Sequence, residues 1–175
     1  MKQVYPITIQ SGMSQSGSYI LMLLEPESQR QIPIIIGAYE AQGILLAKDS
    51  VHTRRPMTHE LMVHMMETYG LGLTQVTIDR VLDGVFYATL HITDGFNEKT
   101  IDSRTTDAIT LALLTDTPIM VDDNVLTETG VATDAQPASP TPTLEALEAE
   151  LRRCEEAEDY ERAAEIQKQI EKIKS

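Results

Sequence analysis

The chain has 175 residues, 42% of them apolar, and its 27 Asp and Glu outweigh 14 Lys and Arg for a net charge of −13. That is enough chain for one ordinary domain with an appendage, and its acidity argues against a broad, nonspecific grip on a polyanion, which draws on Lys and Arg. The single cysteine, Cys154, excludes an intrachain disulfide and a cysteine-based zinc site, as expected of a reducing compartment.

Residues 1–135 hold 8 Lys and Arg against 17 Asp and Glu, a balance of −9, and the remainder 6 against 10, a balance of −4, so neither part is a basic module. The start runs directly into an alternating pattern with no charged-then-apolar leader, and no apolar stretch approaches a membrane span, so the expected location is the cytoplasm, with no membrane partner.

Val4 to Ile9 alternates as a strand does. The apolar runs Tyr19 to Leu24 and Ile32 to Ile36 flank Glu25-Pro26-Glu27-Ser28 and predict two strands joined by a polar turn. Tyr39 to Ala47 reads as a helix after Gly37. A second helix follows Arg55-Pro56, with Thr58 as its expected N-cap and Glu60 in its first turn. Its expected core stripe is Leu61, Met62, Met65, Met66 and Tyr69, ended by Gly70. Asp83-Gly84 between Val76–Leu82 and Val85–Thr93 is a hairpin signal, with Phe86, Ala88, Leu90 and Ile92 on one face of the second strand and Tyr87, Thr89 and His91 on the other. A short strand at Thr100 to Asp102, a helix from Thr106 to Leu114 and a strand at Pro118 to Val121 complete the pattern. The expected fold is α+β: a mixed, largely antiparallel sheet with helices packed on one side. The edge strands of such a sheet need cover, so a homo-oligomer is expected.

Three prolines among small polar residues make 132–143 a linker. Beyond it, Leu144, Leu147, Leu151 and Cys154, then Tyr160, Ala163, Ala164, Ile166, Ile170 and Ile173, form two stripes. They predict a C-terminal α-helical hairpin over 144–175 with a core thin enough to lean on a protein partner.

Two segments share a build. Arg55-Pro56-Met57-Thr58-His59-Glu60-Leu61 and Asp102-Ser103-Arg104-Thr105-Thr106-Asp107-Ala108-Ile109 each place an arginine and acidic or imidazole groups at a helix start. Unpaired amides and the dipole there favour an anion, and arginine adds a planar donor fork. No two histidines stand at i and i+4 on one helix, so no histidine metal pair is read; His64 is expected to face solvent.

These two segments, with Ile36-Gly37-Ala38-Tyr39-Glu40-Ala41, the Asp83-Gly84 hairpin and Pro118-Ile119, occur in the order seen in the bifunctional nuclease domain. Residues 1–131 resemble that family. The tail is similar to the UVR motif, a helical hairpin of excision-repair proteins, through Glu158-Asp159-Tyr160-Glu161-Arg162-Ala163-Ala164. The family's usual Arg-Pro-Ser-Asp stands as Arg104-Thr105-Thr106-Asp107, which loses the proline but leaves Thr106 able to cap. The resemblance implies cleavage of phosphodiester bonds in RNA and DNA and protein contacts through 144–175.

The chemistry then assigns His59 as proton carrier, Arg55 and Arg104 on the phosphate with Asp107 beside them, and Asp102, Asp107 and Glu40 as carboxylates able to hold Mg²⁺ or Mn²⁺ or to orient the others. The alternative is a non-catalytic oligomeric interaction or anion-binding module, in which the same charges pin helix starts to the sheet as an ion-pair network.

Overall fold

The computed structural model describes residues 1–11, 17–51 and 53–132. The linker from 133 onward and the tail hairpin expected at 144–175 lie outside the described residues. Eight strands form one sheet: β1 (Lys2–Ser11), β2 (Tyr19–Glu25), β3 (Arg30–Ile36), β4 (Gly72–Leu82), β5 (Val85–Thr93), β6 (Glu98–Arg104), β7 (Ile119–Val121) and β8 (Val131–Ala132). Its order is β6-β5-β4-β7-β1-β2-β3-β8, with only β4 and β7 parallel. Among the described residues four helices accompany it: α1 (Ala38–Lys48), α2 (Thr58–Thr68), α3 (Thr105–Thr115) and α4 (Asp123–Thr129).

The architecture is two antiparallel meanders joined by a central strand. β1-β2-β3 forms one half and β4-β5-β6 the other; α3 carries the chain back so that β7 enters between β4 and β1. This return makes β4–β7 parallel, because parallel neighbours need a long crossover. In the first meander Leu21 faces Ile34 and Leu23 faces Ile32, and all four are buried. In the second, Ala88 and Leu90 of β5 meet Ile78 and Val76 of β4. Asp83 (φ 50°) and Gly84 (φ 77°) join β4 to β5 with both central residues at positive φ, as a two-residue type I′ turn requires. α3 is the central helix: Ala108, Ile109, Leu111 and Ala112 are buried, and α1 and α2 both pack on it.

The β2–β3 turn has a carboxylate at its centre. Glu25 is 1% exposed, and its carboxylate accepts hydrogen bonds from the Glu27 amide (2.8 Å), the Ser28 amide (2.7 Å) and the Ser28 hydroxyl. Burial pushes its pKa up, but the Ser28 hydroxyl and the two amides outweigh that and hold it below the usual range.

Several expectations need correction. α2 does not bury the stripe its sequence suggests: Leu61 (49% exposed), Met62, Met65 (54%) and Tyr69 (77%) face outward, while Val63 is buried and Met66 partly so. The helix lies on α3 along its 59–63–66 edge, and a pattern rich in methionine on several sides does not specify which edge docks. Its N-cap is Met57, not Thr58, and the Glu60 carboxylate reaches back to accept from the Met57 amide at 2.8 Å. Thr106 likewise does not cap α3, whose N-cap is Arg104. β6 extends beyond the expected Thr100–Asp102, and α4 and β8 were not foreseen. α4 did carry a start signal, since the Asp122 side chain accepts from the Asn124 amide at 2.9 Å. Among the described residues no helix is long and apolar enough to cross a membrane.

Candidate functional site

Three helix starts meet at one chain of charged groups. Glu40 stands in the first turn of α1, His59 in that of α2 and Asp107 in that of α3, while Arg104 is the residue where β6 becomes α3. Arg104 Nη2 donates to Glu40 Oε1 at 2.7 Å and Arg104 Nε to Asp107 Oδ2 at 3.1 Å. The other Asp107 oxygen, Oδ1, lies 3.1 Å from His59 Nε2. One carboxylate therefore couples an imidazole to a guanidinium that is itself clamped from the far side.

The chain is not a closed knot. The Arg104 side chain is 63% exposed, and Thr106 Oγ1 accepts a further bond from Nη2 at 3.2 Å, which leaves Nη1 uncommitted among the described residues. The Glu40 carboxyl is held below the usual carboxylate range, first by its own backbone N–H and then by the Arg104 guanidinium. Arg104 is raised in turn, by its hydrogen bond to Glu40 and the charge of Asp107. His59 Nε2 and Asp107 Oδ1 are within hydrogen-bond distance, and the tautomer that carries its proton on Nε2 donates to Asp107 and leaves Nδ1 as the acceptor nitrogen.

Two cavities flank the chain. One of about 390 Å³ is lined by Ile36, Gly37, Glu40, Phe86, Asp102 and Arg104, among others. The other, about 200 Å³, lies between α1, α2 and α3 and includes Tyr39, Met57, His59 and Leu114 in its wall. Asp102 shares the first cavity with Arg104 but has no ion-pair partner among the described residues. Arg55 is exposed before α2 and is not joined to the chain; only its carbonyl is engaged, by the Thr53 hydroxyl. Of the residues picked from sequence, the structure joins Glu40, His59, Arg104 and Asp107 and leaves Arg55 and Asp102 apart.

The carboxylates do not close round a metal. Glu40 and Asp107 both turn onto the Arg104 guanidinium, which fills the place a cation would take, and no group of three His, Cys, Asp or Glu side chains able to hold an ion occurs among the described residues.

The residue that sequence reasoning missed is Gly37. A Cβ there would stand 2.5 Å from Glu40 Oε2, so glycine makes room for the carboxylate that clamps Arg104. Gly37→Ala is expected to push that flexible carboxylate aside and release Arg104 from its Glu40 clamp, with little change in melting temperature. A crystal structure of the variant with a parallel thermal melt checks this; an unmoved Glu40–Arg104 pair would remove Gly37 from the role.

The family model for the bifunctional nuclease domain matches residues 21–134. The chain belongs to the bifunctional nuclease domain family. An uncharacterized protein of Mycobacterium tuberculosis (strain CDC 1551 / Oshkosh) is 33% identical over 112 residues, covering 64% of this chain and 66% of its own length. Bifunctional nuclease 2 of Oryza sativa subsp. japonica is 26% identical over 115 residues, 64% of this chain and 35% of the rice protein. Bifunctional nuclease 1 of Oryza sativa subsp. indica is 23% identical over 138 residues, 77% and 40%. The matches thus span just under two thirds of the mycobacterial relative and well under half of the rice ones. All four residues of the charged chain lie within the matched domain.

Proposed function

We propose that this domain hydrolyses phosphodiester bonds of RNA or DNA at the Glu40–Arg104–Asp107–His59 chain. The observation that carries the reading is the shared Asp107 carboxylate, which sets a proton carrier and an accessible guanidinium side by side. Arg104 Nη1 takes a nonbridging phosphate oxygen and offsets the charge that grows there. His59 Nδ1 removes a proton from the attacking water as its oxygen bonds to phosphorus, the ester P–O bond opposite breaks and the leaving oxygen takes a proton from solvent, while Asp107 holds the ring and Glu40 keeps the guanidinium from swinging away. Arg55, on the loop that enters α2, is the second cation for the phosphate.

Mg²⁺ or Mn²⁺ on Asp102, Asp107 and Glu40 is the competing arrangement of the same side chains, and it requires Arg104 to release both its carboxylates. Cleavage of single-stranded RNA and DNA, with EDTA and with each ion, separates the two. The guanidinium arrangement is expected to keep activity in EDTA; a complete loss that either ion restores would favour the metal arrangement.

The outward face of α2 supports a second reading, an oligomeric interaction module, because contiguous exposed apolar side chains mark contact surfaces. Leu61, Met65 and Tyr69 stand at successive i, i+4 positions, and this is the surface assigned here to the homo-oligomer. Leu61→Glu with Met65→Glu is expected to reduce the mass seen by light scattering to that of one chain; a mass already equal to one chain in the wild type would remove the assignment. The cytoplasm remains the assigned location. The UVR-like segment 144–175 is assigned a protein partner, and pulldown with and without it is the test: an unchanged partner set would remove that assignment.

A further inference from the structure

Eight Lys and Arg occur in residues 1–135, and most are already engaged. Lys2 pairs with Glu27, Arg80 with Asp79, and Arg104 with Glu40 and Asp107. Lys48 donates to the Ile7 carbonyl at 2.7 Å and Arg30 to the Leu126 carbonyl at 3.5 Å. Among the described residues only Arg54, Arg55 and Lys99 remain without such a partner, and residues 1–135 hold 17 Asp and Glu. A groove that follows a phosphate backbone needs many more cations than this.

The cavity beside Arg104 has a different character. At about 390 Å³ it falls within the range of small-ligand pockets. Its lining combines the apolar Ile34, Ile36, Val85 and Phe86 with the Asp102 and Glu40 carboxylates, and Arg104 is its one cationic donor. An apolar wall facing a few polar groups suits a base and its sugar, with the adjoining phosphate on the guanidinium. The Asp102 carboxylate on the same wall repels a second phosphate nearby.

We propose that this cavity takes one nucleotide of a dinucleotide-length single-stranded substrate, so that the domain acts on short fragments and not on extended strands. The proposal rests on the nuclease reading of the same site and names its substrate class. Its electrostatic signature is shallow: engaging one or two phosphates on a single strand gives a log–log salt slope of about −0.7 to −1.4, against about −4 to −7 for 6–10 contacts.

The test uses the full chain carrying His59→Ala, to suppress turnover, with a labelled adenosine dinucleotide and a labelled oligoadenylate of about thirty residues, titrated between about 50 and 200 mM salt. Expected is dinucleotide binding within about tenfold of the long strand, weakening about three- to sevenfold across that salt range. Arg104→Gln should abolish dinucleotide binding. Val85→Trp, at an exposed position on the cavity rim, should weaken it about tenfold while the fold is retained. A long strand bound over a hundredfold more tightly with a steep salt slope overturns the proposal, as does absence of dinucleotide binding. Cleavage by the wild-type chain is scored separately: dinucleotide binding without any cleavage would sink the nuclease reading alone, and cleavage with long-strand binding would sink this proposal alone.

Discussion

His59→Ala is expected to lower phosphodiester cleavage by roughly 10²- to 10⁴-fold, the range typical of removing a positioned general base. The same protein should keep its fold, because His59 borders a cavity and is not among the fully buried side chains. His59→Gln gives a sharper comparison. Its amide can still donate to Asp107 but cannot carry a proton at Nδ1, so it should restore stability without restoring rate. Asp107→Asn adds a third corner, since it disturbs the imidazole and the guanidinium together. Combined with His59→Ala it should cost much less than the two single losses added, as for groups that act as a unit. The readout is kcat/KM on single-stranded RNA and DNA with thermal melts in parallel. Equal residual cleavage in wild type and His59→Ala would indicate a contaminant and end the assignment of His59.

Glu25→Gln is expected to cause the largest loss of stability, about 2–3 kcal/mol, because it replaces a buried charged acceptor whose three donors lie in one tight turn. An amide offers one oxygen where the carboxylate offers two, and its NH₂ meets donors. The acid dependence has a definite sign. The folded Glu25 carboxyl lies below its ordinary value, so its contribution is present above the unfolded pKa of about 4.3 and is lost as pH falls through the lower folded value. Glu40 contributes with the same sign. Denaturant midpoints measured from neutral pH into the acid range should fall for the wild type and fall less steeply for Glu25→Gln. Parallel curves would show that the Glu25 carboxylate does not contribute to acid sensitivity.

Much of the fold was legible in short stretches. The Asp83-Gly84 turn, the paired apolar runs at Tyr19–Leu24 and Ile32–Ile36, and the helix from Thr106 each depend on a few neighbouring residues, and the structure places all three where the pattern put them. The candidate residues were also legible as types at helix starts. What was not legible was their pairing. Arg104 and Glu40 are 64 positions apart, and His59 and Asp107 are 48 apart. Arg55 and Asp102 carry the same chemical promise in sequence, yet one sits on an exposed loop and the other lines the cavity beside Arg104 without joining the charged chain. Gly37 gave no local sign of its role, because the carboxylate that needs its missing side chain is placed by contact with Arg104.

α2 marks the limit most clearly. Its apolar residues fix that it is a helix with something to cover, but the covered edge is chosen by the shape of α3 and the room left by α1. Sequence by itself determined most of the strands and turns, the approximate places of α1, α2 and α3, the acidic balance and the residue types able to handle a phosphate, since period, turn chemistry and charge are local or additive properties. Only the tertiary structure decided which helix starts meet, that Asp107 is shared between His59 and Arg104, and that Leu61, Met65 and Tyr69 face outward. Those outcomes depend on the packing of elements distant in the chain, where many pairings satisfy the same pattern and the fit of the core selects one.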